Sequence, residues 1–246
     1  MSILNEGLIH LIKASEPWQL TLTTSLFVLL IIVSSYLLGS VNSAIIISKL
    51  FYNDDIRRHG SGNAGMTNMQ RTYGKKAAIL TLVGDMLKTV IAILIAALLF
   101  GFNYNHGISL NDGYCYIAGL FAVIGHVFPI YYGFKGGKGV LVTATMALIL
   151  TPVPFLILIT LFIIIVAASK YVSLGSVTVA ALYPVLVNGY IKFVFQSPPP
   201  GILALCTVIL AIFIVWCHRA NLKRISEGTE NKLSLKKKNT DEKEYR

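Results

Sequence analysis

Seven blocks of apolar residues constrain this chain more than any other feature. They cover residues 20–38 with a continuation to 51, then 77–101, 113–132, 140–150, 155–169, 172–189 and 202–217. A helix needs about 20 apolar residues to cross the hydrocarbon core of a bilayer, and most of these blocks approach that length. Because lipid offers no hydrogen bonds to the backbone, the blocks must satisfy their own backbone groups as helices. The pattern predicts an all-α, polytopic integral membrane protein with about seven transmembrane helices.

The fourth block is the exception in length. Thr151, Pro152 and Pro154 follow it directly, so the fourth and fifth blocks form either two spans or one broken hairpin that does not fully cross. Charged residues make up only 13% of the chain, about half the share that is usual in soluble domains. The low share of charged residues places the core of the protein in lipid.

Lysine and arginine are distributed unevenly over the two sides of a seven-helix arrangement. The loops after the first, third and fifth blocks hold nine of them, the tail holds nine more, and the opposite side holds only Lys13 and Lys192. Since positive residues favour the cytoplasmic side, this asymmetry predicts an external N-terminus and a cytoplasmic C-terminus. Orientation in the membrane therefore explains the net charge of +10 better than binding of nucleic acid does. We expect residues 1–226 to form the membrane domain and residues 227–246 a polar, partly disordered cytoplasmic tail.

The first polar stretch, residues 57–71, reads RRHGSGNAGMTNMQR. Its glycines free the backbone to point several N–H groups at one anion, and Arg71 offers a planar fork that suits phosphate. A flexible connector is the alternative, but connectors seldom combine Gly, Ser, Asn and Arg so densely. The candidate ligands are Ser61, Asn63, Thr67, Asn68 and Arg71.

The second polar stretch, residues 125–139, reads GHVFPIYYGFKGGKG and leads directly into an apolar block. It departs from the nucleotide-binding P-loop at both ends, because Tyr132 stands at the first glycine position and Gly139 follows Lys138. A helix N-terminus nevertheless favours an anion. The stretch predicts a phosphate-binding loop formed by Lys135, Gly136, Gly137, Lys138 and Gly139. His126, alone in an apolar block, is interpreted as a structural hydrogen-bonding residue.

Two further polar stretches follow the fifth and seventh blocks. In SKYVSLGS, Ser173 and Ser176 either bind phosphate or only cap a helix. In HRANLKRISEGTENKL, His218 and Asn221 are three residues apart and share a helical face. Lys223 in the same stretch is expected to meet lipid headgroups, whereas the sequence leaves open whether Arg219 and Arg224 do the same.

Asp85 and Lys88 lie inside the second apolar block. A charge inside the membrane costs about 2.5–3.5 kcal/mol on insertion scales, so we expect these two residues, three apart, to pair with each other. Pairing is a sufficient structural role for them, and they could also line a polar cavity.

The four polar stretches together resemble the motifs of the bacterial acyl-phosphate:glycerol-3-phosphate acyltransferases. GSGNAGMTNMQR, GHVFPIYYGFKGGKGV, VSLGS and HRANLKRISEGTENK occur in the family's order over nearly the whole chain. The resemblance implies transfer of a fatty acyl group from acyl phosphate to the first hydroxyl of glycerol 3-phosphate. The products are lysophosphatidate and phosphate, formed without a cofactor or metal as the first step of phospholipid synthesis. It also implies a multi-pass protein of the bacterial cytoplasmic (inner) membrane, with acyl phosphate arriving from the bilayer and glycerol 3-phosphate from the cytosol.

The same resemblance implies roles for individual residues. Ser61, His218 and Asn221 match catalytic positions, Glu230 matches a structural glutamate, and the loop residues named above match substrate-binding positions. Met66 and Asn42 depart from the family, which usually has Ala and Pro there. No histidine is followed five residues later by aspartate, so the base is either His218 or the substrate's own phosphate, and the resemblance favours the phosphate.

A membrane transporter or exchanger of an anionic phosphorylated metabolite is the alternative interpretation. Such a protein would place its binding residues near the middle of the membrane, on broken helices of two halves. Here nearly all the polar stretches fall on one side of the membrane, which favours chemistry at the membrane surface.

Overall fold

The computed structural model describes residues 7–11, 16–101 and 110–233, apart from the side chains of residues 110 and 111. This part of the chain forms ten α-helices and no strand, which confirms the all-α class predicted from the apolar blocks. The helices are α1 Pro17–Ser40, α2 Ser43–Tyr52, α3 Met66–Tyr73, α4 Lys75–Phe100, α5 Leu110–Val127, α6 Val140–Leu150, α7 Pro152–Ser169, α8 Val172–Val194, α9 Gly201–Cys217 and α10 Arg219–Ser226. Short 3-10 turns lie at Leu8–Leu11, Ile56–Arg58 and Ile130–Tyr132.

The protein spans the membrane several times. Five stretches are long and apolar enough to cross, and they are Pro17–Tyr52, Lys75–Phe100, Asp112–Tyr132, Pro152–Ser169 and Val172–Val194. α9 and α10 meet at a bend of 51° and add a sixth if they are one broken span. α6 has 11 residues, which makes it about 16 Å long against a hydrocarbon core of about 30 Å. The count of seven and the orientation of the termini stay predictions, and residues 1–6, 12–15 and 234–246 lie outside the described residues.

α1 and α5 approach closely because glycines lie at their interface. A Cβ atom on Gly39 would fall 2.8 Å from the Cα of Ala122, and one on Gly125 would fall 2.8 Å from the backbone N of Ser40. Lipid tails are as apolar as leucine, so membrane helices associate through such close packing. The contact fixes the end of α1 beside the end of α5, where the second polar stretch begins.

Five helices form a closed ring. α5, α6, α7, α8 and α9 contact one another in that order, and α9 contacts α5 to complete it. α1 and α4 pack against α5, and α4 also packs against α6. The ring borders a cavity that residues from all four polar stretches line at one end.

Candidate active site

Arg57 ties the loop before α3 to the loop before α6. Its Nη2 atom lies 2.7 Å from Oδ2 of Asp55, and Nη1 donates to the carbonyl oxygens of Tyr132 at 2.7 Å and Lys135 at 3.2 Å. The hydrogen bonds from Arg57 hold the pKa of Asp55 below its ordinary value, although burial opposes the shift. The two glycine-rich stretches therefore form one continuous surface.

Two asparagines hold the first loop in shape. The buried Asn68 side chain accepts from the backbone N–H of Ser61 at 3.0 Å and donates to the carbonyl oxygen of His59 at 2.9 Å. Asn42 caps α2, and its amide nitrogen lies 3.4 Å from the carbonyl oxygen of Ala64. Asn68, predicted as a substrate ligand, is thus occupied by its own loop. Asn42, which departs from the family's proline, supplies a helix cap instead.

Gly136 and Gly137 hold the second loop against the end of α5. Their N–H groups donate to the carbonyl oxygens of Val127 and His126, both at 3.1 Å. A side chain on Gly137 would collide with the His126 ring and come within 2.9 Å of the carbonyl oxygen of Ala64. The sequence predicted that Gly136 and Gly137 belong to a phosphate-binding loop. In the structure their N–H groups instead bond to carbonyl groups at the end of a helix and are not available to a phosphate.

The two lysines of the second loop point to different places. The Lys135 side chain is exposed and lies outside the cavity, whereas Lys138 lines it together with Gly139, Val140 and Leu141. The first N–H groups of an α-helix have no intrahelical partner, and this end carries partial positive charge. An anion in the cavity would therefore meet one lysine and the N-terminus of α6.

Glu230 is the centre of a polar cluster, which we call the tail cluster, formed with Lys138, Ser173, Asn221 and Arg224. Its Oε1 atom accepts from Asn221 at 2.6 Å and from Ser173 at 2.8 Å, and its Oε2 atom accepts from Arg224 at 2.7 Å. Asn221 in turn accepts a hydrogen bond from the Lys138 ammonium through Oδ1. Burial opposes ionisation of Glu230, but the hydrogen bonds outweigh it and hold its pKa below the ordinary value.

The mouth of the cavity carries excess positive charge. Burial lowers the pKa of Lys138 to about 8, a shift that Glu230 opposes and that Arg224 and Arg71 reinforce. Arg71 is exposed at the mouth, and no carboxylate of the described ranges is within ion-pair distance of it. Among the described residues, Lys138 and Arg71 line the mouth and Arg224 pairs with Glu230, so three cations lie around this carboxylate. The predicted ligands Ser61, Asn63 and Thr67 lie at the same mouth.

His218 lies at the bend between α9 and α10 and lines the cavity while being almost fully buried. Its Nδ1 atom is 2.8 Å from the carbonyl oxygen of Ile214 and donates to it. In the neutral ring, Nε2 is then the acceptor. This nitrogen can accept a hydrogen bond from a hydroxyl group in the cavity.

Asp85, Lys88 and His126 form a second charged cluster, which we call the inner triad. The Lys88 ammonium lies 2.9 Å from Oδ1 of Asp85 and 2.9 Å from Nδ1 of His126. It also donates to the carbonyl oxygens of Gly39 at 3.1 Å and Val41 at 2.9 Å, where α1 ends. The ion pair expected from the spacing is formed, and it joins α1, α4 and α5. Asp85 and His126 line the cavity, whereas Lys88 does not.

Beyond the mouth the cavity continues as an apolar channel inside the ring of helices, with a total volume of about 400 Å³. Ser176 lies where the mouth meets the channel, and its hydroxyl donates to the carbonyl oxygen of Val172 at 2.9 Å. The channel walls come from α6, α7 and α8 and include Leu141, Ala144, Ala147, Phe155, Leu158, Phe162, Val179, Ala180 and Tyr183. A cationic mouth joined to an apolar channel suits an amphipathic molecule with an anionic head.

Several residues at the site were not recognised from the sequence. The sequence left the role of Arg224 open, and in the structure this residue pairs with Glu230. Asn231 and Leu233 line the cavity, and the N–H of Leu233 donates to the carbonyl oxygen of Lys170 at 2.7 Å. No periodicity in this polar segment could have shown that it folds back. Within the described residues, no group of His, Cys, Asp and Glu is arranged to hold a metal ion.

Comparisons with known proteins agree with this geometry. A family model described as glycerol-3-phosphate acyltransferase matches residues 29–228. Proteins named glycerol-3-phosphate acyltransferase are 38% identical over 210 residues in Alkaliphilus metalliredigens and 40% identical over 215 residues in Halalkalibacterium halodurans. These alignments cover 85% and 86% of this chain and 97% and 98% of the relatives.

Two solved structures are also similar. Both are of PlsY (YgiH), an integral membrane glycerol 3-phosphate acyltransferase, in its glycerol 3-phosphate form and its lysophosphatidic acid form. They are 31% and 30% identical to this chain, with TM-scores of 0.71 and 0.68. Each match covers 84% of this chain, and 96% and 95% of the respective PlsY chains. These similarities favour the enzyme over the transporter considered above, and the chain belongs to the glycerol-3-phosphate acyltransferase family of integral membrane acyltransferases.

Proposed function

We propose that this chain transfers a fatty acyl group from acyl phosphate to the first hydroxyl of glycerol 3-phosphate. The products are lysophosphatidate and inorganic phosphate. One observation carries the proposal, namely that a single cavity joins a cationic mouth to an apolar channel. An acyl phosphate has the matching form, with an anionic head and a long apolar chain. The ligands named for the two PlsY structures are the acceptor and the product of the same reaction.

The phosphate of the donor and the phosphate of glycerol 3-phosphate bind at two different places in the mouth. Lys138 and the N-terminus of α6 bind the phosphate of the donor, next to the entrance of the channel. Arg71 binds the phosphate of glycerol 3-phosphate bidentately at the exposed rim, because its planar fork matches phosphate oxygens. Ser61, Asn63 and Thr67 add hydrogen bonds there. Gly136, Gly137 and Asn68 position the loops, and Lys135 takes no direct part.

In the reaction, the hydroxyl oxygen of glycerol 3-phosphate attacks the acyl carbonyl carbon. The bond from that carbon to the bridging oxygen breaks, and the phosphate leaves with the electron pair. Lys138 and the first N–H groups of α6 stabilise the charge on the leaving phosphate. The hydroxyl proton passes to the acceptor's own phosphate, whose second pKa is near 6 as in other phosphomonoesters. His218 orients the hydroxyl through Nε2, and Asn221 holds Lys138 in place.

We place the enzyme in the bacterial cytoplasmic (inner) membrane with the mouth facing the cytoplasm. The positive charge of the loops around the mouth supports this orientation. Glycerol 3-phosphate then enters from water, and the donor enters from the bilayer. A reporter fused after the last residue is expected to be cytoplasmic and one fused before the first residue external. Finding both reporters on one side would contradict the seven-helix arrangement.

The reaction is tested with the purified chain in lipid nanodiscs. With palmitoyl phosphate as the donor, we expect phosphate release only when glycerol 3-phosphate is present. Mass spectrometry should detect lysophosphatidate in an amount equal to the phosphate. Arg71→Ala is expected to raise the KM for glycerol 3-phosphate far more than the KM for the donor. Phosphate release at the same rate without the acceptor would contradict the proposal.

A further inference from the structure

We infer that Tyr183 forms the floor of the apolar channel and sets the longest acyl chain that the enzyme uses efficiently. The inference rests on the proposed function, because it assigns the channel to the acyl group of the donor. It adds a residue that determines specificity, at the end of the cavity opposite to the reacting groups.

The channel has a floor because α6 is short. α6 ends after 11 residues, and the chain turns back at Thr151 and Pro152 into α7. Thr151 is 1% exposed and Pro154 is buried, whereas Val153 between them is 43% exposed, so one side of this turn packs against the protein. The hairpin of α6 and α7 therefore closes the channel part of the way through the ring of helices.

Tyr183 is the deepest lining residue of α8. It lies ten positions after Ser173, which contacts Glu230 at the mouth, and this separation corresponds to about 15 Å along the helix. The Tyr183 side chain is 3% exposed. Ala147 is the deepest lining residue of α6, and Phe155 is the lining residue of α7 nearest to the hairpin turn.

The floor is also polar behind the ring of Tyr183. The hydroxyl groups of Tyr183, Tyr116 and Thr151 lie close together at this end. The two tyrosine hydroxyls do not reach full hydrogen-bond geometry with any group of the described ranges. These hydroxyls are already out of contact with water, so the methyl terminus of an acyl chain meets only the ring of Tyr183. The packed ring therefore stops the chain by its size.

The channel walls near Tyr183 come from α6, α7 and α8, which pack against one another. α7 contacts α6 on one side and α8 on the other, and α8 contacts α9. A chain too long for the space next to Tyr183 must push packed side chains apart, which costs about 1–3 kcal/mol in a protein core, or draw its carbonyl group away from Lys138. The donor profile should then fall steeply beyond one chain length.

The test measures kcat/KM in nanodiscs for decanoyl, lauroyl, myristoyl, palmitoyl, stearoyl and arachidoyl phosphate. Tyr183→Ala is expected to deepen the channel and shift the optimum to longer chains, with a gain of about tenfold for the first donor beyond the wild-type optimum. Ala147→Phe is expected to fill the channel from the opposite wall. It should shift the optimum to shorter chains and keep the activity with decanoyl phosphate.

Two control variants separate the role of the ring from other effects. Tyr183→Phe keeps the ring and should keep the wild-type optimum. Val185→Ala changes a side chain on the same helix that is 67% exposed, and should change nothing. Because Ala147→Phe retains short donors, its loss of long ones cannot come from misfolding.

Each outcome has one meaning. Opposite shifts in Tyr183→Ala and Ala147→Phe would support the inference. A wild-type enzyme that acylates glycerol 3-phosphate equally well with all donors, or variants that keep its profile, would overturn the inference and leave the proposed function intact. A wild-type chain that uses none of the donors would overturn the proposed function itself.

Discussion

The inner triad and the tail cluster are both charged groups beside one cavity, but they are built differently. Asp85 and Lys88 lie three residues apart on one helix, and the Lys88 side chain is 5% exposed. The tail cluster joins three segments that are distant in the sequence, and in it the side chains of Arg224 and Glu230 are 35% and 6% exposed. One cluster belongs to the membrane interior, and the other reaches water through Arg224.

The difference separates stability from catalysis. Removing one partner of a buried ion pair leaves an uncompensated charge in a medium of low dielectric constant, so the inner triad should determine whether the helices pack. On the Arg224 side, the tail cluster is close enough to water for a lost contact to be replaced by solvent. Its main effect should fall on the position and charge of Lys138, and therefore on the reaction. The four predictions below test this division.

The largest effect is expected from Lys88→Met. This change strands the Asp85 carboxylate and two carbonyl oxygens at the end of α1, and should lower the free energy of unfolding by about 3–5 kcal/mol. Thermal unfolding in detergent measures the effect, with Lys192→Met as the control because that lysine is exposed on α8. The double variant Asp85→Asn, Lys88→Met should recover part of the stability. An unchanged unfolding temperature in Lys88→Met would contradict the assignment of stability to the inner triad.

The second effect is catalytic. Lys138→Ala removes a charged donor from the mouth, and a hydrogen bond to a charged group contributes about 1.5–3 kcal/mol, or about ten- to a hundredfold in affinity. We expect kcat/KM for acyl phosphate to fall by this factor at an unchanged unfolding temperature. Lys135→Ala is the matched control, since it lies three residues earlier with an exposed side chain. Equal losses in the two variants would show that only the total charge of the loop matters.

A smaller catalytic effect is expected from Glu230→Gln. The amide still accepts from Asn221 and Ser173 but no longer pairs with the Arg224 charge, so we expect a loss of about 0.5–1.5 kcal/mol in transition-state binding, or about two- to tenfold in kcat/KM. Glu227→Gln is the control, because Glu227 is exposed and pairs loosely with Lys223 at 3.8 Å. A clear drop in unfolding temperature would instead place Glu230 with the inner triad.

The smallest effect is a pH dependence. Lys138 has a pKa of about 8 and is charged below it. Its charged fraction falls from about nine tenths at pH 7 to about half at pH 8, so kcat/KM for acyl phosphate should fall about twofold over this range as the pH rises. Lys138→Arg stays charged throughout and should show a flat profile there. The same decline in both proteins would assign the titration to another group.

The sequence by itself determined the membrane fold, because each apolar block must satisfy its own backbone in lipid whatever its neighbours are. It also determined the pairing of Asp85 with Lys88, since residues three apart on a helix meet in any surroundings. The four polar stretches indicated the family for a similar reason, because the residues of each motif are close together in the chain.

Only the tertiary structure decided which of these residues reach the cavity. Lys135 and Lys138 are the same residue type in one short loop. The hydrogen bonds from Gly136 and Gly137 to the end of α5 nevertheless direct Lys135 to the surface and Lys138 into the cavity. The return of Glu230 to the mouth and the closing of the channel at Thr151 are likewise contacts between distant segments. Such contacts depend on how whole helices pack, and hydropathy or spacing along the chain carries no information about them.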